Sequence, residues 1–234
     1  FSSYLIVLVI SISIITGSSL TPSIGKLIGK GNAYYSSKIV KVFRELIVSI
    51  SVFFGAFIIL FNKKFIALWV GESLFIGSNA NLLLVLLMIQ TLLIRSESQV
   101  LDLSLNIKNK VRYGAVFSAL SLILSITFYH LFENKLEGIL LGAFLGRFFM
   151  VVVFKKMVDR MNNIKVNIKQ ITFLIFILFI SSFLNFYFSY DCSWIFFIGY
   201  IIIYNLIILP MIWYFLISAD TKTVILKINP IKLS

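Results

Sequence analysis

The chain has 234 residues, of which 60% are hydrophobic, 16% are aromatic and 13% are charged, and its mean hydropathy is +1.02. This composition supplies too little polar surface to cover a soluble globule, so it excludes a soluble domain and indicates an integral membrane protein. The formal charge is +12. Because membrane topology and anionic lipid headgroups account for that charge, we expect no nucleic acid among the partners.

Seven apolar windows approach or exceed the roughly 20 residues that cross a hydrocarbon layer. They cover residues 4–20, 40–61, 82–105, 113–131, 136–154, 171–189 and 194–217. The sequence therefore predicts an all-α fold, a multi-pass transmembrane bundle of about seven helices.

The basic residues alternate between rich and poor connections along the chain. The rich connections hold Lys26, Lys30, Lys38, Lys41 and Arg44 after the first span, Lys108, Lys110 and Arg112 after the third, and Lys155, Lys156, Arg160, Lys165 and Lys169 after the fifth, while the tail holds Lys222, Lys227 and Lys232. The poor connections hold Lys63 and Lys64, then Lys135, then none in residues 190–193. Since positive charge near a membrane end is retained in the cytoplasm, the rich connections and the tail are predicted to be cytoplasmic.

The chain opens inside the first span, with neither an initiator Met nor the basic region and cleavage site of a signal peptide. We therefore expect a fragment whose missing part completes the functional unit.

The connection after the first span reads TPSIGKLIGKGN over residues 21–32. Pro22 limits helix continuation and the three glycines permit sharp turns, so this segment is predicted to be a basic interfacial turn or a short interfacial helix. It lacks the spacing and the Lys-Ser/Thr ending of a phosphate-binding loop, which argues against nucleotide binding.

The third span is the least lipid-like, because charged and amide side chains follow its apolar first half. At 100° per residue, one stripe holds Thr91, Arg95, Ser98 and Asp102 and another holds Gln90, Glu97 and Ser104. An ionised group in lipid costs at least a few kcal/mol unless it is paired or wet. We therefore expect Arg95, Glu97, Gln99 and Asp102 to line a polar cavity open toward the cytoplasm. The alternative is a structural network that pairs Arg95 with Asp102, or Glu97 with a neighbouring helix.

The fifth span carries Gly138, Gly142 and Gly146 at a spacing that lets another helix approach closely. Arg147 points away from these glycines. It either snorkels toward the cytoplasmic end or faces the same cavity as Arg95.

No residue set resembles a catalytic or metal site. The single histidine, His130, has no carboxylate or cysteine partner at ligand spacing, and the acidic residues are scattered over different helix ends. We therefore expect a protein that is not an enzyme and that uses no cofactor.

Three segments together carry a family resemblance: TPSIGKLIGKGN at residues 21–32, LWVG at residues 68–71 and LDLSLNIKNK at residues 101–110. In order, spacing and charge topology, residues 3–154 resemble the polysaccharide or O-antigen flippases of the multidrug/oligosaccharidyl-lipid/polysaccharide exporter superfamily. The last two spans are similar to the extra terminal pair of many longer members.

This resemblance implies a transporter of two pseudo-symmetric bundles around a central cationic cavity. Residues 1–154 would be the second bundle, 155–170 a basic cytoplasmic connection, 171–217 an additional transmembrane hairpin and 218–234 a cytoplasmic tail. The implied activity is the transfer of an undecaprenyl-diphosphate-linked oligosaccharide from the cytoplasmic to the periplasmic leaflet of a bacterial inner membrane. Arg95 and Arg147 would offer hydrogen bonds to its phosphates. The implied partners are that substrate, membrane lipids and other membrane proteins of glycan assembly.

Three other functions remain as alternatives. A cation-coupled multidrug exporter of the same superfamily would favour embedded carboxylates, for which Glu97 and Asp102 are the candidates. A lipid-linked glycan polymerase, which is an enzyme, would be expected to present a large external loop, whereas the external connections here are short. A seven-helix receptor shares the predicted topology, but the seventh span lacks a lysine for a retinal Schiff base.

Overall fold

The structure is a computed structural model that describes residues 2–29, 33–162, 164, 168–187 and 193–227. Its helices are α1 Tyr4–Gly29, α2 Ala33–Trp69, α3 Ser78–Leu103, α4 Ile107–Leu131, α5 Lys135–Asn162, α6 Ile168–Tyr187, α7 Trp194–Phe215 and α8 Ala219–Lys227, with a 3-10 turn at Glu72–Leu74. Within these described ranges there is no strand, and six helices are long and apolar enough to cross a membrane. The predicted all-α, multi-pass membrane fold is thus confirmed. Helix α6, which corresponds to the sixth predicted span, is apolar but shorter than the six membrane-length helices.

Helix α2 is the centre of the bundle and packs against α1, α3, α5, α6, α7 and α8. It is apolar on several faces, so it is covered on several sides. One face joins Phe43 and Ile47 to the core shared with α1, α3 and α5, and another joins Val52 and Ala56 to α6 and α7. In the most apolar window of α2, 61% of the residues are buried, against 6% in α4. Helix α4 is therefore peripheral.

Five helices, α1, α2, α4, α5 and α6, extend beyond the predicted spans at one end of the bundle. We call this end, where α1, α3 and α5 end, the basic end, and the opposite end the far end. Lys38, Lys41 and Arg44 lie on α2, and Lys155, Lys156 and Arg160 lie on α5. The predicted connection at residues 155–170 is therefore helical as far as Asn162. Long basic side chains extend their charges into water while the backbone stays helical, so a helix does not end where its apolar run ends. Lys30, Lys165 and Lys232 lie outside the described residues.

The turn predicted at residues 21–32 is corrected as far as Gly29, because α1 runs through Pro22 without a break. Proline is tolerated within membrane helices, where it leaves only the carbonyl four residues earlier, here that of Ser18, without its helical N–H partner. The last residues of the predicted turn, 30–32, are outside the described part of the chain.

A buried amide cluster joins α2 to α3 at the far end. The Asn62 side-chain amide donates to the Asn81 side-chain oxygen at 2.7 Å and to the Ser2 carbonyl at 3.0 Å. Asn62 lies 18 residues after Arg44 on α2, a rise of about 27 Å. Because the hydrocarbon layer is about 30 Å thick, these two polar residues lie near its two edges, with the apolar core between them.

The three glycines of α5 lie buried against α4. A Cβ atom on Gly138 would lie 2.5 Å from the Phe128 carbonyl oxygen, and one on Gly142 would lie 2.5 Å from that of Leu124. A Cβ atom on Gly146 would overlap the Cα atom of Ser121. The α4–α5 pair is therefore held in backbone contact, as small residues at this spacing allow.

Helix α8 docks on α2 through a buried carboxylate. Glu45 is 1% exposed, and its Oε2 atom accepts the Ser218 backbone N–H at 2.9 Å and the Thr221 hydroxyl at 2.6 Å. Asp220 adds ion pairs to Lys38 at 3.5 Å and to Lys41 at 3.8 Å. The segment predicted as a cytoplasmic tail, 218–234, thus begins with a helix attached to the bundle.

Candidate functional site

Arg44 ties three helices together near the basic end. Its Nη2 atom donates to Glu97 Oε2 on α3 at 2.7 Å, and its Nε atom lies 2.7 Å from Glu97 Oε1. Its Nη1 atom donates to Asp159 on α5, whose other oxygen pairs with Lys155 at 2.9 Å. The side chains of Arg44, Glu97 and Asp159 are 12%, 6% and 13% exposed. We call these four residues the ion cluster; its two cations balance its two carboxylates.

The ion cluster pairs Glu97 with Arg44 on a neighbouring helix. This matches the alternative given in the sequence analysis, in which Glu97 belongs to a structural network. A planar guanidinium with donors on two edges can serve two carboxylates at once, and a lysine ammonium cannot reproduce that geometry. Glu97 therefore faces the α2–α5 side of α3, away from any opening toward α1.

Sequence reasoning missed Arg44 and Asp159 because it assigned Arg44 and the surroundings of Asp159 to connections. Two local signals indicate otherwise. Lys155 and Asp159 are four residues apart, the spacing of a helical ion pair. Val40, Phe43 and Ile47 follow a helical repeat that carries α2 past Arg44.

Arg95, Gln99 and Asp102 lie along the face of α3 that borders α1. Arg95 is exposed and makes no hydrogen bond or ion pair with any described residue. Asp102 pairs with Lys110 of α4 at 2.7 Å. The Arg95–Asp102 pair, offered as one structural alternative, is thus not formed, because the short α3–α4 connection brings a cation closer to Asp102.

A polar groove, here called the α1–α3 groove, runs along this face at the basic end. Its wider part is a cavity of about 310 Å³ lined by Ser18, Thr21, Pro22, Gln99, Asp102 and Leu103. Gln99 also borders a space of about 10 Å³ beside Arg95, room for one water molecule at most. The groove therefore presents hydroxyl and amide groups with a guanidinium at its inner end.

Glycine makes room for one wall of the groove. The Gln99 side chain lies over Gly17 of α1, where a Cβ atom would be 2.7 Å from the Gln99 Oε1 atom. A side chain at residue 17 would therefore displace Gln99. This close approach was not visible from the sequence, which shows Gly17 as one small residue in an apolar span.

The remaining candidate, Arg147, is exposed on α5 and lines neither cavity of the α1–α3 groove. Near it, the side-chain amide of Gln90 donates to the Phe144 carbonyl at 2.9 Å, which fixes α3 against α5. The five predicted cavity residues thus occupy three places: Arg95, Gln99 and Asp102 border the groove, Glu97 belongs to the ion cluster, and Arg147 lies apart.

Across the described residues, no group of histidine, cysteine or acidic side chains is arranged to hold a metal ion. Comparison of the chain with protein-family models, with curated proteins and with solved structures gives no match. The functional interpretation therefore depends on the chemistry of the groove.

Proposed function

We propose that the chain is part of a transporter that moves an undecaprenyl-diphosphate-linked oligosaccharide from the cytoplasmic to the periplasmic leaflet of a bacterial inner membrane, with no covalent chemistry. One observation carries the proposal. Arg95 is an exposed cation without a described partner inside a membrane-length helix, whereas Glu97 and Asp102 on the same helix are both paired.

The depth of Arg95 supports an anionic ligand. Arg95 precedes Glu97 on α3 by two residues, so it lies about 3 Å farther into the hydrocarbon layer than the Arg44–Glu97 pair near its edge. A charge inside the layer is costly unless it is wet or paired. A diphosphate offers oxygens that a guanidinium binds with two parallel hydrogen bonds. The groove cation and the substrate phosphates are therefore complementary.

The surroundings of Arg95 suit the polar part of such a substrate. Ser18, Thr21 and Gln99 provide hydroxyl and amide groups along the groove, and groups of this kind hydrogen-bond to sugar hydroxyls. The lipid tail would remain in the bilayer against the apolar outer faces of the helices. In the proposed transporter, a second bundle supplies the opposite wall of the groove.

The pairing of the carboxylates argues against the cation-coupled exporter. A coupling carboxylate must take up and release a cation in each cycle. Glu97 is held by Arg44, and Asp102 is held by Lys110 at the helix end. The two functions make different predictions for Glu97→Gln. In a cation-coupled exporter, the transport rate should no longer depend on the ion gradient. In a flippase, the protein should be less stable, but the effect of an ion gradient on the transport rate per folded molecule should be the same as in wild type.

The test measures transport per folded molecule. The full-length protein is placed in vesicles with a fluorescent polyprenyl-diphosphate oligosaccharide, and flipping is followed by the loss of access of an external reductant to the dye. We expect Arg95→Ala to lower the rate at least tenfold, and Arg95→Lys to retain part of it because a point charge replaces a bidentate fork.

Arg112→Ala is the matched control, because Arg112 is also exposed near the basic end but lies on α4 outside the groove. It should leave the rate unchanged. A wild-type rate per molecule for Arg95→Ala would remove Arg95 from the mechanism and leave Arg147 as the next candidate. No flipping by the wild-type protein, together with export of a cationic dye, would contradict the proposed function.

A further inference from the structure

Helices α6 and α7 meet near the basic end and enclose a crevice farther along. Near the basic end, the side-chain amide of Gln170 donates to the Leu216 carbonyl at 3.1 Å, and the rings of Phe173 and Phe215 stack at 5.3 Å. Toward the far end a crevice of about 660 Å³ lies between the two helices, with α2 as its floor. This volume is within the range of about 300–1,000 Å³ that ligand sites occupy.

The walls of the crevice are continuous apolar helix faces. On α7 the lining residues recur at helical spacing from Tyr200 to Met211, and on α6 they do so from Ile177 to Asn185. The middle of both walls is mainly aliphatic, with Ile180 and Leu184 facing the crevice from α6 and Ile203 and Ile207 from α7. Ser181 also lines it, and its hydroxyl donates to the Ile177 carbonyl of its own helix at 2.8 Å. The Tyr204 hydroxyl donates to the Phe53 carbonyl of α2, so even this polar group is engaged by the floor. Such walls suit a hydrocarbon chain.

The far-end mouth of the crevice is polar and positively charged. Lys63 and Lys64 line it together with Ser78, Asn185 and Tyr200. Lys63 also pairs with the exposed Glu72 at 2.9 Å. The described residues that line the crevice include these two ammonium groups and no carboxylate.

The mouth lies at the depth expected of lipid phosphates. Lys63 precedes Trp69 at the end of α2 by six residues, and Tyr200 follows Trp194 at the start of α7 by six, a rise of about 9 Å in each case. Both tryptophans are exposed, as is usual for anchors at the headgroup level. Lysine side chains at this depth reach back toward the headgroups.

A second cavity of about 410 Å³ adjoins the mouth between α3 and α6. Ser78 and Asn185 line both cavities, and Asn79 and Ser182 add further polar groups to the second. The two spaces together are amphipathic, with an apolar arm between α6 and α7 and a polar arm at the level of the lysines.

We propose that this amphipathic crevice binds one anionic glycerophospholipid, with an acyl chain between α6 and α7 and the phosphate at Lys63 and Lys64. The site lies on the opposite side of α2 from the α1–α3 groove and does not depend on the proposed transport function. A zwitterionic lipid would fill the apolar arm equally well but would gain less at the mouth. Because each lysine near the headgroup level contributes about 1 kcal/mol toward an anionic lipid, two lysines correspond to a preference of about 30-fold.

The experiment uses full-length protein purified in a neutral detergent, stripped of lipid and titrated with phosphatidylglycerol or with phosphatidylcholine of the same acyl chains. Bound lipid is counted by native mass spectrometry. We expect one tight site for phosphatidylglycerol, with an affinity about 30-fold above that for phosphatidylcholine. Equal affinity for the two lipids would overturn the proposal.

Charge variants test the mouth. Lys63→Gln combined with Lys64→Gln should reduce the preference at least tenfold. Lys108→Gln combined with Arg112→Gln removes two exposed charges at the basic end and should leave the preference unchanged. Glu72→Gln breaks the Lys63–Glu72 pair but keeps both lysines, so it should maintain or raise binding of phosphatidylglycerol. A loss of binding in Glu72→Gln would assign the effect to the fold of the turn and overturn the proposed contact.

Filling variants test the apolar arm. Ile207→Trp should lower the affinity for both lipids at least tenfold, whereas Leu206→Trp, one residue away and 70% exposed on the outer face of α7, should have no effect. A second test uses wild-type protein and phosphatidylglycerol that carries a photoactivatable group on its acyl chain. Crosslinks should fall on the residues of α6 and α7 that line the crevice. Crosslinks spread over α4, or displacement of phosphatidylglycerol by an equal concentration of a polyprenyl phosphate, would overturn the proposal.

Discussion

The α2–α3 pair and the α4–α5 pair are both antiparallel and joined by short turns, yet different contacts hold them. The first has polar clusters near both edges of the hydrocarbon layer, Arg44 with Glu97 at the basic end and Asn62 with Asn81 at the far end. The second has no salt bridge between its helices in the described chain. It combines backbone approach at the glycines of α5 with hydrogen bonds from the Ser121 and Ser125 hydroxyls to α5 carbonyls. Lys135 Nζ of α5 also lies 5.4 Å from the centre of the Tyr129 ring of α4.

The difference follows from the solvent. Lipid tails are as apolar as leucine side chains, so apolar burial alone gives helices in a membrane little reason to associate. Polar side chains that find partners, or backbones close enough for dense van der Waals contact, supply the missing stabilisation. The α2–α3 pair depends on the first means, including a buried ion pair. The α4–α5 pair depends chiefly on the second, with two serine hydroxyls of α4 donating to the α5 backbone. Substitutions should therefore act through charge and hydrogen bonding in one pair and through volume in the other.

The largest effect is expected at Arg44. Arg44→Met leaves Glu97 and Asp159 buried without their shared cation, which should lower the free energy of unfolding by about 3–5 kcal/mol. Thermal unfolding in detergent and abundance in the membrane measure the loss. Adding Glu97→Gln and Asp159→Asn to the same chain should restore much of it, while Arg112→Met should cost nothing. An Arg44→Met variant as stable as wild type would show that the ion cluster does not hold the three helices.

The next effect concerns volume in the other pair. Gly142→Ala places a methyl group 2.5 Å from the Leu124 carbonyl oxygen, so α4 and α5 must separate, at a cost of about 1–3 kcal/mol. Gly142→Leu should cost more and lower abundance. In the control Gly114→Ala, the nearest atom to the new methyl group is Met150 Cε at 3.8 Å, and no destabilisation is expected. Equal stability of the two alanine variants would refute close packing at Gly142.

A smaller loss is expected at the neutral cluster. Asn81→Leu removes a partner of the buried Asn62 amide, and we expect a cost of about 1–2 kcal/mol, because hydrogen bonds between membrane helices are individually modest. The same unfolding assay measures it. A loss as large as that of Arg44→Met would contradict the distinction drawn between the charged and the neutral end of the α2–α3 pair.

The exposed ion pair between Asp102 of α3 and Lys110 of α4 should contribute less still. Asp102 and Lys110 are 49% and 23% exposed, so Asp102→Asn should change the free energy of unfolding by less than about 1 kcal/mol. In Glu97→Gln, by contrast, the buried Arg44 loses the charge of one of its carboxylate partners. Comparing the two variants therefore isolates the effect of burial. A large loss in Asp102→Asn would mean that the α3–α4 connection depends on this pair.

The smallest effect is a pH dependence at the turn between α2 and α3. The hydrogen bond and the charge of Lys63 lower the pKa of Glu72 below its usual value. A carboxyl group whose pKa is lowered on folding stabilises the fold above its unfolded pKa, and this contribution is lost as the pH falls through the folded pKa. The stability of wild type relative to Glu72→Gln should therefore fall slightly between about pH 6 and pH 3. A constant difference would show that the pair contributes nothing.

The sequence was informative wherever lipid constrains each helix by itself. The apolar windows located the helices, and the spacing of Gly138, Gly142 and Gly146 marked the face of α5 that packs against α4. The two polar stripes of α3 were also correctly separated, with Glu97 on one face and Arg95 on another. The partners of these faces were not predicted, because a stripe on one helix does not specify which neighbour it meets.

The helix ends were predicted less well. Pro22 and the lysines and arginines around residues 38–44 and 155–160 were interpreted as connections, although α1, α2 and α5 run through them. Hydropathy detects where lipid ends, whereas a helix ends where its backbone hydrogen bonds end. The ion cluster was missed for this reason, because Lys155 and Asp159 lie on the part of α5 that continues beyond the apolar window ending at residue 154.

By itself, the sequence determined that the chain crosses a membrane as a set of helices and which faces of those helices are polar, small or apolar, because these properties follow from the partition of single residues between water and lipid. Only the tertiary structure decided that Arg44 neutralises Glu97 and Asp159, that Asp102 pairs with Lys110, and that Arg95, on the groove beside α1, meets no partner among the described residues. These outcomes depend on distances of a few ångströms between residues up to 115 positions apart in the chain, and residue composition and periodicity carry no such distances.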